Sequence, residues 1–337
     1  MKVTLPFLLA AAAALAVALG APLATTVLGL IAFGVLHNVL ELRYVTGRFA
    51  PVLSGRFLAV LFGLISAIVL CRIGALFVGQ PARDAEILVG YAVLAAGCAH
   101  ALRGWLLGGA GTVLALAAVV SLSWPGYHFV VLAHLHNVVP LFFLWEWAAA
   151  LPVVTRRWFR SVQVGWVLVL PLAVLLGAFD GALGNVSAST VASFAGDPAK
   201  IVALSAPPGS DALIGARFLV VFAFLQTMHY FVWVWFLPRH APDAARAFES
   251  RVPWLRGRRA WALGTGIGSA LAVLFAVDYT SGRAMYGAFA SYHAYLEFPV
   301  LLAMLLGANA ARSQLVFRET ATDGQEGVAL STLTRES

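Results

Sequence analysis

Apolar segments long enough to cross a bilayer recur along nearly the whole chain, separated by short breaks rich in Arg, Pro and Gly. A spanning helix needs about 20 predominantly apolar residues. A chain of 337 residues with this pattern has room for a membrane bundle and for no sizeable soluble domain. Composition closes the alternative, because soluble domains carry roughly 25% charged residues, whereas this chain carries 11% and is 61% hydrophobic. The expected fold class is all-α, a polytopic transmembrane helix bundle.

The runs place about ten spans, near residues 5–19, 24–42, 57–78, 87–102, 105–122, 128–150, 162–179, 213–237, 260–277 and 284–308. Positive charge falls in alternate loops: Arg43, Arg48 and Arg56; Arg103; Arg156, Arg157 and Arg160; and Arg239, Arg246, Arg251, Arg256, Arg258 and Arg259. Cytoplasmic loops carry the excess of Lys and Arg, which puts these loops inside the cell. Lys2, Arg312 and Arg318 fall on the same side, so an even number of spans with both termini cytoplasmic satisfies the whole chain. The expected organisation is a helical domain over residues 1–311, with an outside loop at 180–212 and a cytoplasmic basic loop at 238–259. A polar tail at 312–337 follows, with a composition that suits disorder. Residues 1–20 also have the make-up of a signal peptide, Lys2 before an Ala/Leu run ending in small residues. Retention is the reading adopted, since the next span follows after only a short Gly/Pro break. The setting is a cell membrane, the inner membrane if the source is a prokaryote.

A net charge of +7 does not point to nucleic acid here. The basic residues flank apolar segments, where they act as topology signals and contacts for anionic membrane lipids. Cys71 and Cys98 both fall within spans, so neither a disulfide framework nor a cysteine-based zinc motif is available. The sequence contains no Walker A loop, dinucleotide fingerprint, nucleophile elbow or HExxH motif, which argues against phosphoryl transfer and zincin chemistry. Oligomeric state is not readable.

An ionisable side chain in hydrocarbon is costly and marks function by default, so the polar residues inside the spans carry the functional argument. In the second span His37 and Glu41 are four residues apart, which puts an imidazole and a carboxylate on one helical face. His293 and Glu297 repeat the arrangement in the last span. Two HxxxE pairs on separate helices are what a metal site built from facing helices needs, and imidazole with carboxylate suits iron, manganese or zinc. The sixth span offers His134 and His136, about 200° apart around the helix, so only one of them easily faces a common centre. Pro140 removes the amide that would bond the His136 carbonyl, which predicts a kink. The eighth span adds Gln226 and His229 on one face. The span boundaries put these histidines at depths differing by about 10 Å, a spread that a shift of those boundaries narrows, so a single compact centre is compatible with the sequence. Tyr230, beside His229, joins Glu41 and Glu297 as a candidate catalytic group, and Gln226, Trp233, Tyr292 and Tyr295 are candidates to line a pocket for a flat, apolar substrate.

Bland readings stand beside these. Taken alone, a deep histidine is more often a hydrogen-bond partner between helices than a metal ligand. His100, His128 and His240 lie near span ends, where interfacial roles are ordinary. Arg72, within the third span, calls for a structural ion pair, with Asp180 or Glu146 as the expected partner. The many Trp and Tyr residues near helix ends read first as interfacial belts.

Gly34, His37 and Glu41, together with the aromatic-rich segment around His229, resemble the membrane-bound, retinal-forming carotene dioxygenases of the Brp/Blh type. The resemblance implies non-haem iron held by histidines from several helices, and a polyene substrate arriving from the bilayer. That family usually has His-Gly and a second histidine just after the acidic residue, where this chain has His37-Asn38 and Leu42. The segment His37-Asn38-x-x-Glu41 is also similar to the intramembrane motif of ZIP-type divalent-cation transporters, without that motif's usual proline. The expected function is a metal-dependent oxidoreductase, possessing Fe2+ held by His37, His136, His229 and His293 and acting on a lipophilic substrate. His134 and Glu297 are further candidate ligands. Glu41 and Glu297 serve as ligands or as acceptors that fix imidazole tautomers. A divalent metal-ion transporter, a haem protein with paired axial histidines and a cofactor-free scaffold are the alternatives.

Overall fold

The structure, a computed structural model, describes residues 3–184 and 191–333, with side chains described as far as residue 306 apart from Ala192. Among the described residues every regular element is helical. The chain runs α1 (Thr4–Gly20), α2 (Pro22–Arg48), α3 (Gly55–Val78), α4 (Gln80–Ala101), α5 (Gly104–Ser123), α6 (Pro125–Val138), α7 (Pro140–Trp147), α8 (Val153–Val164) and α9 (Leu170–Leu175). Then come α10 (Ala192–Ala195), α11 (Pro198–Val202), α12 (Ala212–Tyr230), α13 (Leu237–His240), α14 (Pro242–Arg251), α15 (Arg258–Val277) and α16 (Tyr279–Leu333).

Eight helical stretches are long and apolar enough to cross a membrane: Pro22–Arg48, Gly55–Val78, Gly104–Ser123, Pro125–Ala150, Val153–Leu175, Ala212–His240, Arg258–Val277 and Tyr279–Leu306. The other two expected spans are also helices. Of these, α1 is a shorter apolar helix of 17 residues, and α4 opens on Arg83, Asp84 and Glu86. The segment 180–212 carries the two short helices α10 and α11, and the basic segment 238–259 folds largely into α13 and α14. The last helix continues past the apolar stretch into the polar segment, as far as Leu333.

Burial ranks the helices. The apolar windows of α2, α6 with α7, α12 and α16 are buried over 33, 33, 67 and 50% of their residues, against 28% or less for the other four. These are the four helices that carry the deep histidines, so the sequence places its polar groups on the elements at the centre of the bundle. At the other extreme α5 buries only Ala118 among its residues, as suits a helix that is apolar all round and set at the edge of the bundle.

Local chemistry explains the joints. Gly79 ends α3 at φ +68°, a left-handed conformation that favours glycine, and folds α4 back along α3. Gly47 permits the close crossing of α14 over α2, since a Cβ there would sit 2.0 Å from the Ala244 carbonyl oxygen. Pro140 breaks the α6–α7 span as expected. The His136 carbonyl, deprived of a partner at residue 140, accepts from Val139 N–H at 3.3 Å instead. Two π-helical turns, Gly165–Val169 and Phe231–Phe236, interrupt α8–α9 and α12–α13; the second begins just after His229 and Tyr230. The N-terminal helix is part of the core: Phe7 is fully buried and packs edge-on against Phe159, Phe231 and Phe236.

Candidate metal centre

The four deep histidines meet. One ring nitrogen from each of His37, His136, His229 and His293 lies within 4.8 Å of the others. The Nε2 atoms of His37 and His293 are 3.2 Å apart, as are those of His293 and His136.

Hydrogen bonding settles which nitrogens face inward. His37 Nδ1 donates to the Phe33 carbonyl at 3.0 Å; a carbonyl only accepts, so a neutral His37 turns its Nε2 lone pair toward the centre. His136 Nδ1 is 2.8 Å from Glu297 Oε2; an ionised Glu297 accepts the Nδ1 proton and so leaves the Nε2 of a neutral His136 bare as well. Only one proton on His293 Nε2 could be shared between two such lone pairs, whereas a cation satisfies all of them. Two nitrogens 3.2 Å apart, each about 2.0–2.1 Å from one ion, would subtend about 100° there, an ordinary ligand angle.

The carboxylates interlock between helices rather than pairing along their own. Glu297 of α16 serves His136 of α6 and not its own neighbour His293. Glu41 of α2 lies 3.6 Å from Nε2 of His229 on α12, an ion-pair separation too long for a hydrogen bond. The two HxxxE helices therefore supply the acidic groups for the two helices that have none. Glu41 and Glu297 are 1% and 0% exposed. Among the described residues no guanidinium pairs with either carboxylate; Arg72 is bound to Glu86.

Polar atoms left without partners concentrate here. Both carboxylate oxygens of Glu41, both ring nitrogens of His229, Nδ1 of His293, Oε1 of Glu297 and Nε1 of Trp233 are buried and have no hydrogen-bond partner. Buried polar groups are satisfied in the great majority of cases, so this cluster marks where a further group belongs. A divalent cation matches it in three respects: four converging nitrogens, two buried carboxylates beside them, and imidazoles oriented by a carbonyl and a carboxylate as metal-bound histidines are.

Other candidates sit elsewhere. His134 turns outward, its Nε2 2.7 Å from the Ser205 carbonyl and its ring against Phe218 and Phe222, as the angular offset from His136 requires. Tyr230 stacks at a tilt on His37, with ring centroids 4.6 Å apart, and its hydroxyl accepts from Gln226 Nε2 at 2.7 Å. Trp233 flanks His229 at 6.3 Å. Tyr292 and Tyr295 point toward α3 and α4 instead: Tyr292 hydrogen bonds Ser66 at 2.8 Å, and Tyr295 donates to Glu86 at 3.2 Å. The expected partners of Arg72 are corrected. Arg72 binds Glu86 at 2.8 Å, while Asp180 pairs with Arg217 and Glu146 with Arg48. Residues 72 and 86 stand equally far from the Gly79 turn, so folding α4 back on α3 brings them opposite each other. His100, His128 and His240 make stacking or hydrogen-bond contacts away from the four histidines.

Comparison with protein-family models, with curated proteins and with solved structures gives no match.

Proposed function

We propose that the four histidines hold a single ferrous ion and that the protein is a membrane oxidoreductase, of dioxygenase type, acting on a lipophilic substrate such as a carotenoid or lipid. The observation that carries this reading is the convergence of four imidazole nitrogens, two of them with tautomers set by a partner on the far side of the ring. Four imidazoles leave positions free on an ion that accepts six ligands, and non-haem iron with open positions supplies oxygen chemistry. Zinc and manganese fit the donor types as well, and metal analysis separates the three. A haem fits poorly, because nitrogens 3.2 Å apart leave no room for a porphyrin plane between axial ligands that each need about 2 Å.

Each residue then has a role. Glu297 holds the His136 proton on Nδ1 and so keeps Nε2 available, Phe33 does the same for His37 through its carbonyl, and Glu41 supplies balancing charge beside His229. The surroundings are apolar and aromatic: Trp233 and Phe236 are fully buried and Tyr230 nearly so. They favour an apolar substrate and exclude water. Among the four histidines His136 is the most exposed, with 16% of its side chain accessible, and its neighbour Leu135 is 45% exposed. Approach from the bilayer past α6 follows from that asymmetry.

The test is elemental analysis of anaerobically purified protein, followed by oxygen uptake on adding a polyene or an unsaturated lipid. Near-stoichiometric iron and substrate-dependent uptake are expected. Bound metal without uptake, together with cation flux in proteoliposomes, would replace the enzyme with the transporter.

A further inference from the structure

At the end of the bundle that carries the arginine-rich loops, α2, the π-helical turn Phe231–Phe236, α13, α14 and α15 line a half-open cavity of about 410 Å3 that includes none of the four histidines. Its wall presents three guanidinium groups, Arg43, Arg239 and Arg246, against one carboxylate, Glu249. That carboxylate is already engaged: it binds Arg43, accepts from Gly257 N–H at 2.8 Å and has Arg256 at 4.0 Å. Arg246 pairs with Asp243 on its own helix. Arg239 has no carboxylate partner among the described residues and is held over the Trp235 ring at 4.8 Å.

Two further features favour an anion in this cavity. Pro242 and Ala245 in its wall belong to the first turn of α14, a ten-residue helix whose N-terminus has no side-chain cap; Pro242 has no N–H to donate, so what this end offers is its partial positive charge, offset in part by Asp243 of the same turn. Nε of Arg43 is buried and unpartnered. Arginine forks match phosphate oxygens in geometry as well as charge. The rest of the wall, Val234, Trp235, Pro238 and Trp261, is apolar and aromatic, as suits a ligand whose charged group is attached to a hydrophobic body at a membrane surface.

We propose that this cavity is a binding site for a phosphate-bearing anion, the headgroup of an acidic phospholipid or free phosphate, independent of the metal centre. Native mass spectrometry of the full-length protein, titrated with phosphatidylglycerol and separately with phosphatidylcholine, tests it. Wild-type protein is expected to bind phosphatidylglycerol at least about tenfold more tightly. The double variant Arg239→Ala/Arg246→Ala, altered at two exposed positions, is expected to lose that preference while retaining its metal. Glu249→Gln releases Arg43 and is expected to strengthen phosphatidylglycerol binding, the opposite of what a purely structural role for Glu249 gives. Displacement of the lipid by inorganic phosphate would show that the phosphate alone suffices; failure to displace it would show that the apolar body contributes, and either supports a phosphate site. An unchanged preference in the double variant overturns the proposal.

Discussion

Two polar systems lie inside the hydrophobic bundle, and they are built on opposite principles. Around Arg72 every nitrogen of the guanidinium is engaged: Nε and Nη2 bind Glu86, Nη1 donates to the Gly287 carbonyl at 2.5 Å, and Tyr295 adds a third hydrogen bond to the same Glu86 oxygen. Around the four histidines the reverse holds, with the oxygens of Glu41 and the nitrogens of His229 left without partners. Both systems place ionisable groups where they are costly, so cost alone does not identify a functional site. What separates them is closure. The arginine system is complete as a protein, and the histidine system is completed by something else.

The sharpest way to break that contrast is to measure metal in variants of both systems. His37→Ala and His293→Ala each remove a converging nitrogen, and bound metal is expected to fall from near one per chain to background. Substitution at Arg72 should leave it unchanged. Undiminished metal in both histidine variants would remove the ligand set proposed above.

Stability should respond in the other order. Arg72→Met leaves Glu86, only 4% exposed, without its cation, and breaking a buried pair by removing one partner costs about 3–5 kcal/mol. The double variant Arg72→Met/Glu86→Leu removes both charges and is expected to recover most of the loss. Thermal unfolding in detergent reads both. If the double variant is no more stable than the single, the pair is not a closed structural unit.

Much of the centre was legible in the sequence, because His37, His293, Glu41 and Glu297 announce themselves by spacing and by lying in apolar context. Helical geometry implied that only one of His134 and His136 could face the centre, and it did not say which. Convergence was compatible with the sequence but not legible in it, since depth along the membrane normal depends on helix tilt and on exact span ends, which an apolar run does not mark. Nor was the crossing of the carboxylates to histidines of other helices, which no spacing within one helix encodes. The partner of Arg72 was missed for a simpler reason. A span drawn from residue 87 put Glu86 outside the membrane, although its position mirrors Arg72 about Gly79.

A smaller effect distinguishes the two carboxylates of the centre. Glu297→Gln keeps the shape and loses the charge that holds the Nδ1 proton of His136, and replacing such a supporting acceptor typically lowers metal affinity about 10–100-fold. Glu41→Gln should cost less, because 3.6 Å to His229 is not a hydrogen bond. A competition titration with a chelator of known affinity orders the two. The reverse order would make Glu41 a direct ligand.

The smallest expected effect lies outside the hydrocarbon and supplies the control that neither buried system can. Asp180, beyond the end of α9, accepts from Arg217 at 2.9 and 2.5 Å, and these hydrogen bonds hold its carboxyl below the usual carboxylate range. A carboxylate whose folded value is depressed stabilises the folded state above its unfolded pKa, about 3.9, and loses that contribution as the pH falls through the lower folded value. Because the pair is solvent-screened, the consequence should be local opening rather than unfolding. Hydrogen exchange across residues 177–184 is therefore expected to quicken in the acid range for wild-type protein, relative to its intrinsic pH dependence. Asp180→Asn should flatten that response and leave the metal content alone. A change in bound metal with Asp180→Asn at neutral pH would mean that the outer rim and the histidine centre are coupled, and that the boundary drawn between closed and open polar systems is in the wrong place.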